Sequence, residues 1–298
     1  MSNVNWETRS DRHAAGFWRR LARNRLGFAS FLLILFVVLA AIFGPLIYGV
    51  SPTQAEFARI NAPPSAEHLL GTDRLGHDTL ARLLAGLRVS LLVAAVVEAI
   101  NVLFGASLGL VAGYFGGLVD TLITRVADVF FAFPGLLLAI LVAAIFGPWV
   151  TENYGATARL LLVAASISLV GWPLMARYVR GQTLSLRERD FVLAAYAVGV
   201  SEGGIVRDHI LPNVAGLVIT AATLDVINAI VGEATLSLLG LGIQSPDTSI
   251  GKMIAEAAPF LAQNAFLVFV PAATLTLLVL AFSFLGDGLR AAFDPSGR

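Results

Sequence analysis

The sequence predicts an all-α membrane protein with six transmembrane helices. Three observations favour this class: 57% of the 298 residues are hydrophobic, only 13% are charged, and the mean hydropathy is +0.80. Soluble domains carry about a quarter charged residues, so this composition is typical of membrane proteins. No segment alternates in hydrophobicity over about ten residues as a barrel strand would, which leaves helices to cross the bilayer.

Six apolar stretches are long enough, or nearly so, to cross the hydrocarbon core as a helix, which takes about 20 residues. They lie at 28–50, 89–115, 129–149, 160–176, 214–232 and 257–286. The fourth is short, and Arg159 and Arg177 at its ends are expected to extend their side chains to the interfaces. Pro134, Pro173 and Pro271 lie inside three stretches and are each expected to bend a helix.

These stretches divide the chain into a tail, an anchor, a loop, a core and a second tail. The predicted parts are an N-terminal tail at 1–27, a first transmembrane anchor at 28–50, an extracytoplasmic loop at 51–88, a five-helix core at 89–290 and a tail at 291–298. The first tail is too long and polar for a cleavable signal peptide, so the anchor is expected to remain. Most arginines fall on the cytoplasmic side when both termini are placed there, which predicts an N-in, C-in orientation.

The loop between the fourth and fifth stretches, residues 181–213, is polar. Ser185, with a glutamate three residues later, has the spacing of a capping box and predicts a helix that ends at Gly199. Ser201 is positioned to cap a second short helix, and Pro212 lies just beyond it. The pattern predicts a helix–turn–helix on the cytoplasmic surface.

The same loop carries the residue types of a docking surface. Ala194, Ala195 and Gly199 would let another surface approach the backbone closely, while Ile205 and Ile210 would offer apolar contact. The charged residues beside them would form a polar rim. An amphipathic helix that rests on lipid headgroups fits the composition equally well.

The loop resembles the EAA loop of ABC-importer permeases, whose pattern is Glu-Ala-Ala, three residues, Gly, and later Leu-Pro. The residues that match are Ala194, Ala195, Gly199, Leu211 and Pro212. In that family the loop lies in a groove on the ATP-hydrolysing subunit. The resemblance therefore implies an ATPase-docking set of Ala194, Ala195, Gly199, Ile205, His209, Leu211 and Pro212. Leu193 stands where the family usually has glutamate.

The resemblance extends over nearly the whole chain, and specifically to the C-type permeases of dipeptide, oligopeptide and nickel importers. The segments that carry it are 63–91, with His77 where arginine is usual, then 109–140, 232–254 and 286–295. It implies a multi-pass protein of a bacterial or archaeal plasma (inner) membrane. The implied partners are a B-type permease in a heterodimer, two ATP-binding cassette subunits and an extracytoplasmic solute-binding protein. Di- or oligopeptides are the expected solute, with nickel or another small solute as the alternative.

Two polar pairs lie inside different apolar stretches. Glu98 and Asn101 are three residues apart on one, and Asp225 and Asn228 have the same spacing on another. A charge at mid-bilayer costs about 2.5–3.5 kcal/mol, so these groups should face the interior of the bundle. We interpret them as lining the translocation path. The alternative is hydrogen bonding between helices, which contributes about 0.6 kcal/mol on average.

The sequence lacks the motifs of several other functions. The single lysine, Lys252, has no phosphate-binding loop around it, so ATP is expected on a partner subunit and no cofactor on this chain. Zero net charge gives no indication of a nucleic-acid partner. His68 and His77 lie near acidic residues and could be read as a loose metal site, but an ordinary polar loop is the preferred interpretation and no metal is predicted.

Two rival classes remain open, and each makes a different demand on the sequence. A stand-alone secondary transporter or channel would show inverted repeats or an intramembrane relay. An intramembrane enzyme would need a nucleophile with its base. The small-residue segments 105–117 and 236–244 are instead expected to pack against a second membrane subunit and the lipid bilayer.

Overall fold

The structure, a computed structural model, describes residues 17–293, so the predicted tails 1–27 and 291–298 lie partly outside it. No strand occurs within these residues, although one long loop holds two isolated β-bridges. Five of the described helices are long and apolar enough to cross a membrane. They are Arg25–Tyr48, Thr79–Phe115, Gly135–Arg187, Glu202–Leu238 and Phe266–Phe293. The predicted all-α membrane class is confirmed.

The helices are numbered here in chain order. Their bounds are α1 Arg25–Tyr48, α2 Thr79–Ile100, α3 Ser107–Phe115, α4 Gly117–Phe131, α5 Gly135–Arg187, α6 Asp190–Ala197, α7 Glu202–Gly204, α8 Leu211–Leu238, α9 Ile250–Ala257 and α10 Phe266–Phe293. A π-helical turn, Asn101–Ala106, joins α2 to α3 without a break. A second one, Ile205–Ile210, joins α7 to α8 in the same way.

The second long helix begins earlier than its hydropathy predicts. The Asp78 carboxylate accepts a hydrogen bond of 2.7 Å from the Ala81 amide and caps α2, which therefore starts at Thr79 and not near position 89. The first turns contain Arg82, whose buried guanidinium donates to Glu256 on α9, so a polar residue is accommodated inside the fold. A hydropathy window scores Arg82 as polar and excludes it from the span, because hydropathy carries no information about its distant partner Glu256.

Helix α5 folds back on itself at Gly155. This residue has φ 82° and ψ 176°, a conformation that side chains with a Cβ atom avoid. A Cβ atom on Gly135 would overlap the side chain of Val170, so the segments before and after Gly155 lie side by side. The predicted stretch 160–176 lies in the second segment, and the stretch 129–149 covers the end of the preceding helix and most of the first segment.

A separate helix, α4, precedes this hairpin and was not predicted from the hydropathy. It presents Asp120 to Arg180 and Asp128 to Arg177, and both arginines lie on α5. The chain leaves the helical conformation after Phe131 and resumes it with Pro134 as the N-cap of α5. The expectation that Pro134 bends a helix from inside is therefore wrong, because a proline disfavours helical geometry in the residue before it and here separates two helices.

The small-residue segment 105–117 packs within this chain. Gly109 and Gly113 face α5, where a Cβ atom on Gly113 would lie 2.7 Å from the Cβ atom of Thr183 and one on Gly109 would overlap the backbone of Ala176. Glycines four residues apart let two helix backbones come close in this way. This face is covered by α5, and the expectation that it packs against a second subunit is wrong.

A buried carboxyl group holds α2, α8 and the start of α9 together. Glu233 is fully buried and accepts hydrogen bonds from Ser90 at 3.0 Å and from Ser237 at 2.7 Å. The Ser90 hydroxyl in turn accepts from the amide of Ile250 at 3.2 Å, and Ser249 caps α9 beside it. The group is satisfied by hydroxyl donors, as buried polar groups generally are.

Candidate functional site

The turn in the polar loop forms as predicted at Gly199. Helix α6 ends at Ala197, and Gly199 follows with φ 82°. Its amide donates to the Tyr196 carbonyl at 3.0 Å, and the amide of Val200 donates to the Ala195 carbonyl at 3.1 Å. These two bonds form a Schellman motif, which satisfies the last carbonyls of the helix.

The two predicted boundaries on either side of this turn are wrong. Ser185 lies within the last turns of α5, and the next helix begins at Asp190. Ser201 does cap α7, with its hydroxyl accepting from the Gly204 amide at 3.3 Å. Pro212, however, does not end the helix: it lies in the first turn of α8, which follows the π-helical turn directly. A proline is tolerated there because the first residues of an α-helical segment do not need their amide hydrogens for the α-helical pattern.

Two of the predicted docking residues lie inside the protein. Ile205 is 0% exposed and Ala195 is buried, so neither can offer a surface to another subunit. Both belong to an apolar core beneath the loop, formed with Tyr114, Met175, Val179, Leu186, Val192, Ile210 and Val214. The prediction fails for these residues because their side chains anchor the loop to the bundle.

The outer surface of the loop is more apolar than its charged rim suggests. Val198 is 80% exposed and Leu193 is 53% exposed, and the ring of Tyr196 lies beside them. Of the predicted docking residues, Ala194, Gly199, Leu211 and Pro212 are exposed and His209 is partly so. We call the exposed residues Leu193, Ala194, Tyr196, Val198, Gly199, Leu211 and Pro212 the coupling surface. The docking role of these residues stays a prediction.

One hydrogen bond joins the coupling surface to the end of α3. The hydroxyl groups of Tyr114 and Tyr196 lie 2.6 Å apart, and Arg187 donates to the Tyr114 carbonyl at 3.0 Å. A cavity of about 510 Å³ opens beside this contact, and Glu188 and Glu202 also line it. Neither tyrosine was singled out from the sequence, because residues 82 positions apart give no signal of contact.

The two polar pairs inside the bundle form one cluster. The Asp225 carboxylate on α8 accepts 2.9 Å hydrogen bonds from Asn101, in the turn between α2 and α3, and from Asn228. Glu98 lies one helical turn before Asn101 on the same continuous helical path. We call these four residues the central polar cluster. The structure brings together two faces that the sequence placed on separate spans.

Two cavities meet at this cluster. The first has a volume of about 430 Å³ and reaches towards Arg290 at the end of α10. The second has a volume of about 340 Å³ and is bounded by α2, the two arms of α5, and α8. Leu174, Asp225 and Asn228 line both. Asp225 and Asn228 of the cluster therefore lie on the boundary between two spaces among the helices.

The loop between α1 and α2, residues 49–78, holds the histidines read as a loose metal site. His68 contacts Asp78 at 2.9 Å and His77 contacts Asp73 at 3.0 Å, so the four residues form two separate pairs. No group of three or more metal-binding side chains occurs in the described part of the chain. These residues belong to a polar loop in which Asp78 caps α2.

The carboxyl group of Asp73 ties this loop to α2. Burial alone raises its pKa, but the backbone hydrogen bond from His77 and the guanidinium of Arg82 outweigh burial and hold the pKa below its ordinary value. The Leu75 amide also donates to it at 2.8 Å. Asp73 is therefore charged at neutral pH and ties the loop to α2.

Residues 105–298 match the family described as binding-protein-dependent transport system inner membrane component. The chain belongs to this family of transport permeases. Residues 14–64 also match the N-terminal transmembrane domain of oligopeptide transport permease C. The resemblance seen in the sequence is confirmed, and the protein is a multi-pass membrane permease.

Curated relatives of this permease cover almost its whole length. It is 39% identical to the dipeptide transport system permease protein DppC of Alkalihalophilus pseudofirmus, over 93% of this chain and 88% of that protein. It is 36% identical to the oligopeptide transport system permease protein OppC of Mycobacterium bovis, over 94% of each chain.

A solved structure shares the fold of this permease. Inward-facing MetNI, a methionine ABC transporter, matches with a TM-score of 0.56 at 20% identity, over 71% of this chain and 96% of that chain. At this identity the match supports the fold alone. It places the helix arrangement described above within the known architecture of ABC permeases.

Proposed function

We propose that this permease is the C-type subunit of an ABC importer for di- or oligopeptides. Two relatives at 36% identity or more are named as dipeptide and oligopeptide permeases, which supports this solute class. In this proposal the chain forms half of the translocation path. A B-type permease forms the other half, and an extracytoplasmic solute-binding protein delivers the solute.

The coupling surface is the observation that carries the proposal. It combines an exposed apolar tip at Val198 and Leu193 with a rim of charged residues, which is the composition of an interface core and its rim. The loop is also rigidly held, because Ile205 and Ile210 are buried beneath it. A rigid, exposed apolar knob suits docking on an ATPase subunit better than resting on lipid headgroups. ATP is bound and hydrolysed on that partner.

Six crossings with both termini in the cytoplasm are part of the proposal. The start of α1 and the end of α10 lie at the same end of the bundle, since a Cβ atom on Gly27 would lie 2.8 Å from the Cα atom of Gly288. The hairpin at Gly155 supplies two crossings from a single 53-residue helix, with α4 completing the first of them. The arginine-rich ends then face the cytoplasm, as the positive-inside rule favours.

The central polar cluster lines the proposed path. Asp225 and Asn228 line two cavities between the helices, Asn101 lines one of them, and the cavities meet at Asp225. A polar group at the meeting point of two internal spaces is well placed to contact a solute in transit. The alternative role, hydrogen bonding between helices, is met by the bond from Asn101 to Asp225. That role does not account for the second carboxyl group, at Glu98.

Cross-linking tests the docking role directly. The chain contains no cysteine, so a single Val198→Cys variant, co-expressed with the partner subunits and treated with a short bifunctional thiol reagent, is expected to trap the ATPase. Leu69→Cys, which is also exposed but lies in the loop between α1 and α2, serves as the matched control and is expected to trap none. Failure of every variant on the coupling surface to trap an ATPase would contradict the proposal.

Uptake measurements test the solute. Proteoliposomes with the complete transporter are expected to accumulate radiolabelled dialanine only when ATP is inside. Uptake of ⁶³Ni but not of dialanine would move the chain to the alternative solute class. Accumulation by the purified chain without any ATPase would instead indicate a stand-alone transporter or channel.

A further inference from the structure

The central polar cluster has buried acceptor atoms that no donor reaches. Glu98 is 8% exposed and Asn101 is 0% exposed. Both carboxyl oxygens of Glu98 and the Oδ1 atom of Asn101 are buried without a hydrogen-bond partner among the described residues. Buried polar atoms are nearly always paired, so three unpaired oxygens at one place call for an explanation.

The cluster also has an excess of acidic groups. Glu98 lies one helical turn before Asn101, the residue that donates to Asp225, so two acidic side chains belong to this cluster. No basic side chain in the described part of the chain forms an ion pair with either of them. Among residues 17–293, the only donors on Asp225 are the neutral amides of Asn101 and Asn228. The position therefore attracts a cation that can donate hydrogen bonds.

The first cavity has an opposite charge at its other side. Asp225 and Arg290 are the two charged residues among those that line it. The rest of its wall is formed mainly by apolar and small side chains from α5, α8 and α10. A solute in this cavity is thus offered a negative group and a positive group separated by an apolar wall.

We propose that the central polar cluster is a binding site for the primary ammonium group of the transported solute, with Arg290 attracting its carboxylate. The proposal rests on the proposed function only for the statement that solute passes through these cavities. Asp225 is the contact residue, and Asn101 and Asn228 hold its carboxylate in place. Glu98 supplies two unpartnered acceptor oxygens beside it.

The chemistry of a primary ammonium group matches the site in charge and in donors. It carries one positive charge and three N–H donors, whereas a quaternary ammonium carries the charge without donors. A carboxylate or sulfonate would be repelled by Asp225. A zwitterionic solute would therefore bind with its ammonium end at this site, and solutes with a free amino group would be favoured.

Thiol labelling in the cavity tests this preference without measuring transport. The purified transporter with a single Leu174→Cys variant, whose side chain lines both cavities, is treated with three methanethiosulfonate reagents of similar reach. They carry a primary ammonium, a trimethylammonium or a sulfonate group. We expect the primary ammonium reagent to react about tenfold faster than the sulfonate, as focused potentials in clefts can produce. The trimethylammonium reagent should be intermediate.

The same ratios in an Asp225→Asn background decide the assignment. Asparagine keeps an acceptor for Asn101 and removes the charge, so the ratios are expected to fall to those of the exposed control Val198→Cys. Glu98→Gln combined with Leu174→Cys gives a second double variant, for use if the one with Asp225→Asn does not fold. Ratios that stay unchanged in both backgrounds, or a Leu174→Cys thiol that reacts with none of the reagents, would overturn the site.

Uptake separates this inference from the proposed function. In proteoliposomes with the complete transporter, Asp225→Asn is expected to lower dialanine accumulation about tenfold while ATP hydrolysis stimulated by the loaded binding protein stays within about twofold. Asp287→Asn, which removes an exposed carboxylate on α10, is the matched control.

Wild-type uptake with no effect of Asp225→Asn would overturn the site and leave the function standing. A wild-type transporter without dialanine uptake would instead overturn the function. Parallel loss of uptake, hydrolysis and thermal stability would show a structural role and overturn the site.

Discussion

The hydroxyl groups of Tyr114 and Tyr196 are hydrogen-bonded across 2.6 Å, which ties the exposed loop to the buried end of α3. The ring of Tyr114 is buried and that of Tyr196 is half exposed. Because α3 continues without a break into α2, this contact connects the coupling surface to the helix that carries Glu98. A force on the loop is therefore transmitted to the bundle by a polar contact as well as by packing.

Removal of this contact is expected to weaken coupling more than folding. Tyr196→Phe keeps the ring and deletes a hydroxyl group whose hydrogen bond contributes about 1 kcal/mol, so solute moved per ATP is expected to fall by up to about fivefold. The measurement is the ratio of dialanine uptake to ATP hydrolysis in proteoliposomes. Tyr154→Phe, exposed beside the hairpin turn, is the control. An unchanged ratio in Tyr196→Phe would show that packing alone carries the movement.

Close packing of α3 on α5 makes Gly109 intolerant of a side chain. A Cβ atom there would overlap the Ala176 carbonyl, so Gly109→Ala is expected to lower the free energy of unfolding by about 1–3 kcal/mol. Gly181→Ala, where a Cβ atom meets nothing within 4 Å, should have little effect. Thermal unfolding in detergent compares the two variants. Equal stability of both would contradict the described approach of the helices.

The hydroxyl groups around Glu233 depend on its carboxyl oxygens. Glu233→Leu leaves Ser90 and Ser237 without their acceptor, at a cost of about 1–3 kcal/mol for each buried unpaired group. Glu233→Gln retains one acceptor oxygen and is expected to lose less stability. Chemical unfolding in mild detergent measures the difference, with the exposed Glu152→Leu as control. A Leu variant as stable as the Gln variant would rule out this role.

The anchor at Asp73 predicts a specific dependence of stability on pH. Its pKa is below the ordinary value of about 3.9, so its charged form stabilises the fold above that pH, and the contribution is lost as pH falls through the lowered pKa. Asp73→Asn is therefore expected to be less stable than wild type at pH 7, with the gap closing below about pH 4. Thermal unfolding as a function of pH measures this gap. A gap that stays constant down to low pH would contradict the role of the charge.

Hydropathy and turn chemistry predicted much of this architecture because they are local. The apolar stretches, the Gly199 turn and the Ser201 cap follow from residues within a few positions of each other. The start of α2 at Thr79 and the separate helix α4 were missed because their polar residues are paired with distant ones. Those partners become neighbours only after the chain has folded.

The site was predicted in part for the same reason. Spacing identified the members of both polar pairs, yet only the structure joins Asn101 to Asp225 across two helices. The prediction that Ile205 is exposed for docking is wrong, because a short motif shows which residues are apolar but not which of them face the protein interior. Val198, at the exposed tip of the coupling surface, has no sequence pattern around it that distinguishes it from a valine in the core.

The unbroken helical path from Glu202 to Leu238 has a mechanical consequence. Its 37 residues include the exposed loop at one end and Asp225 along the way. A rod of this length spans about 55 Å, so a tilt of about 10° pivoting at one end displaces the other by about 10 Å. In the proposed function, a partner that tilts the exposed end of this path would therefore move the region around Asp225 without a chain of side-chain rearrangements between them.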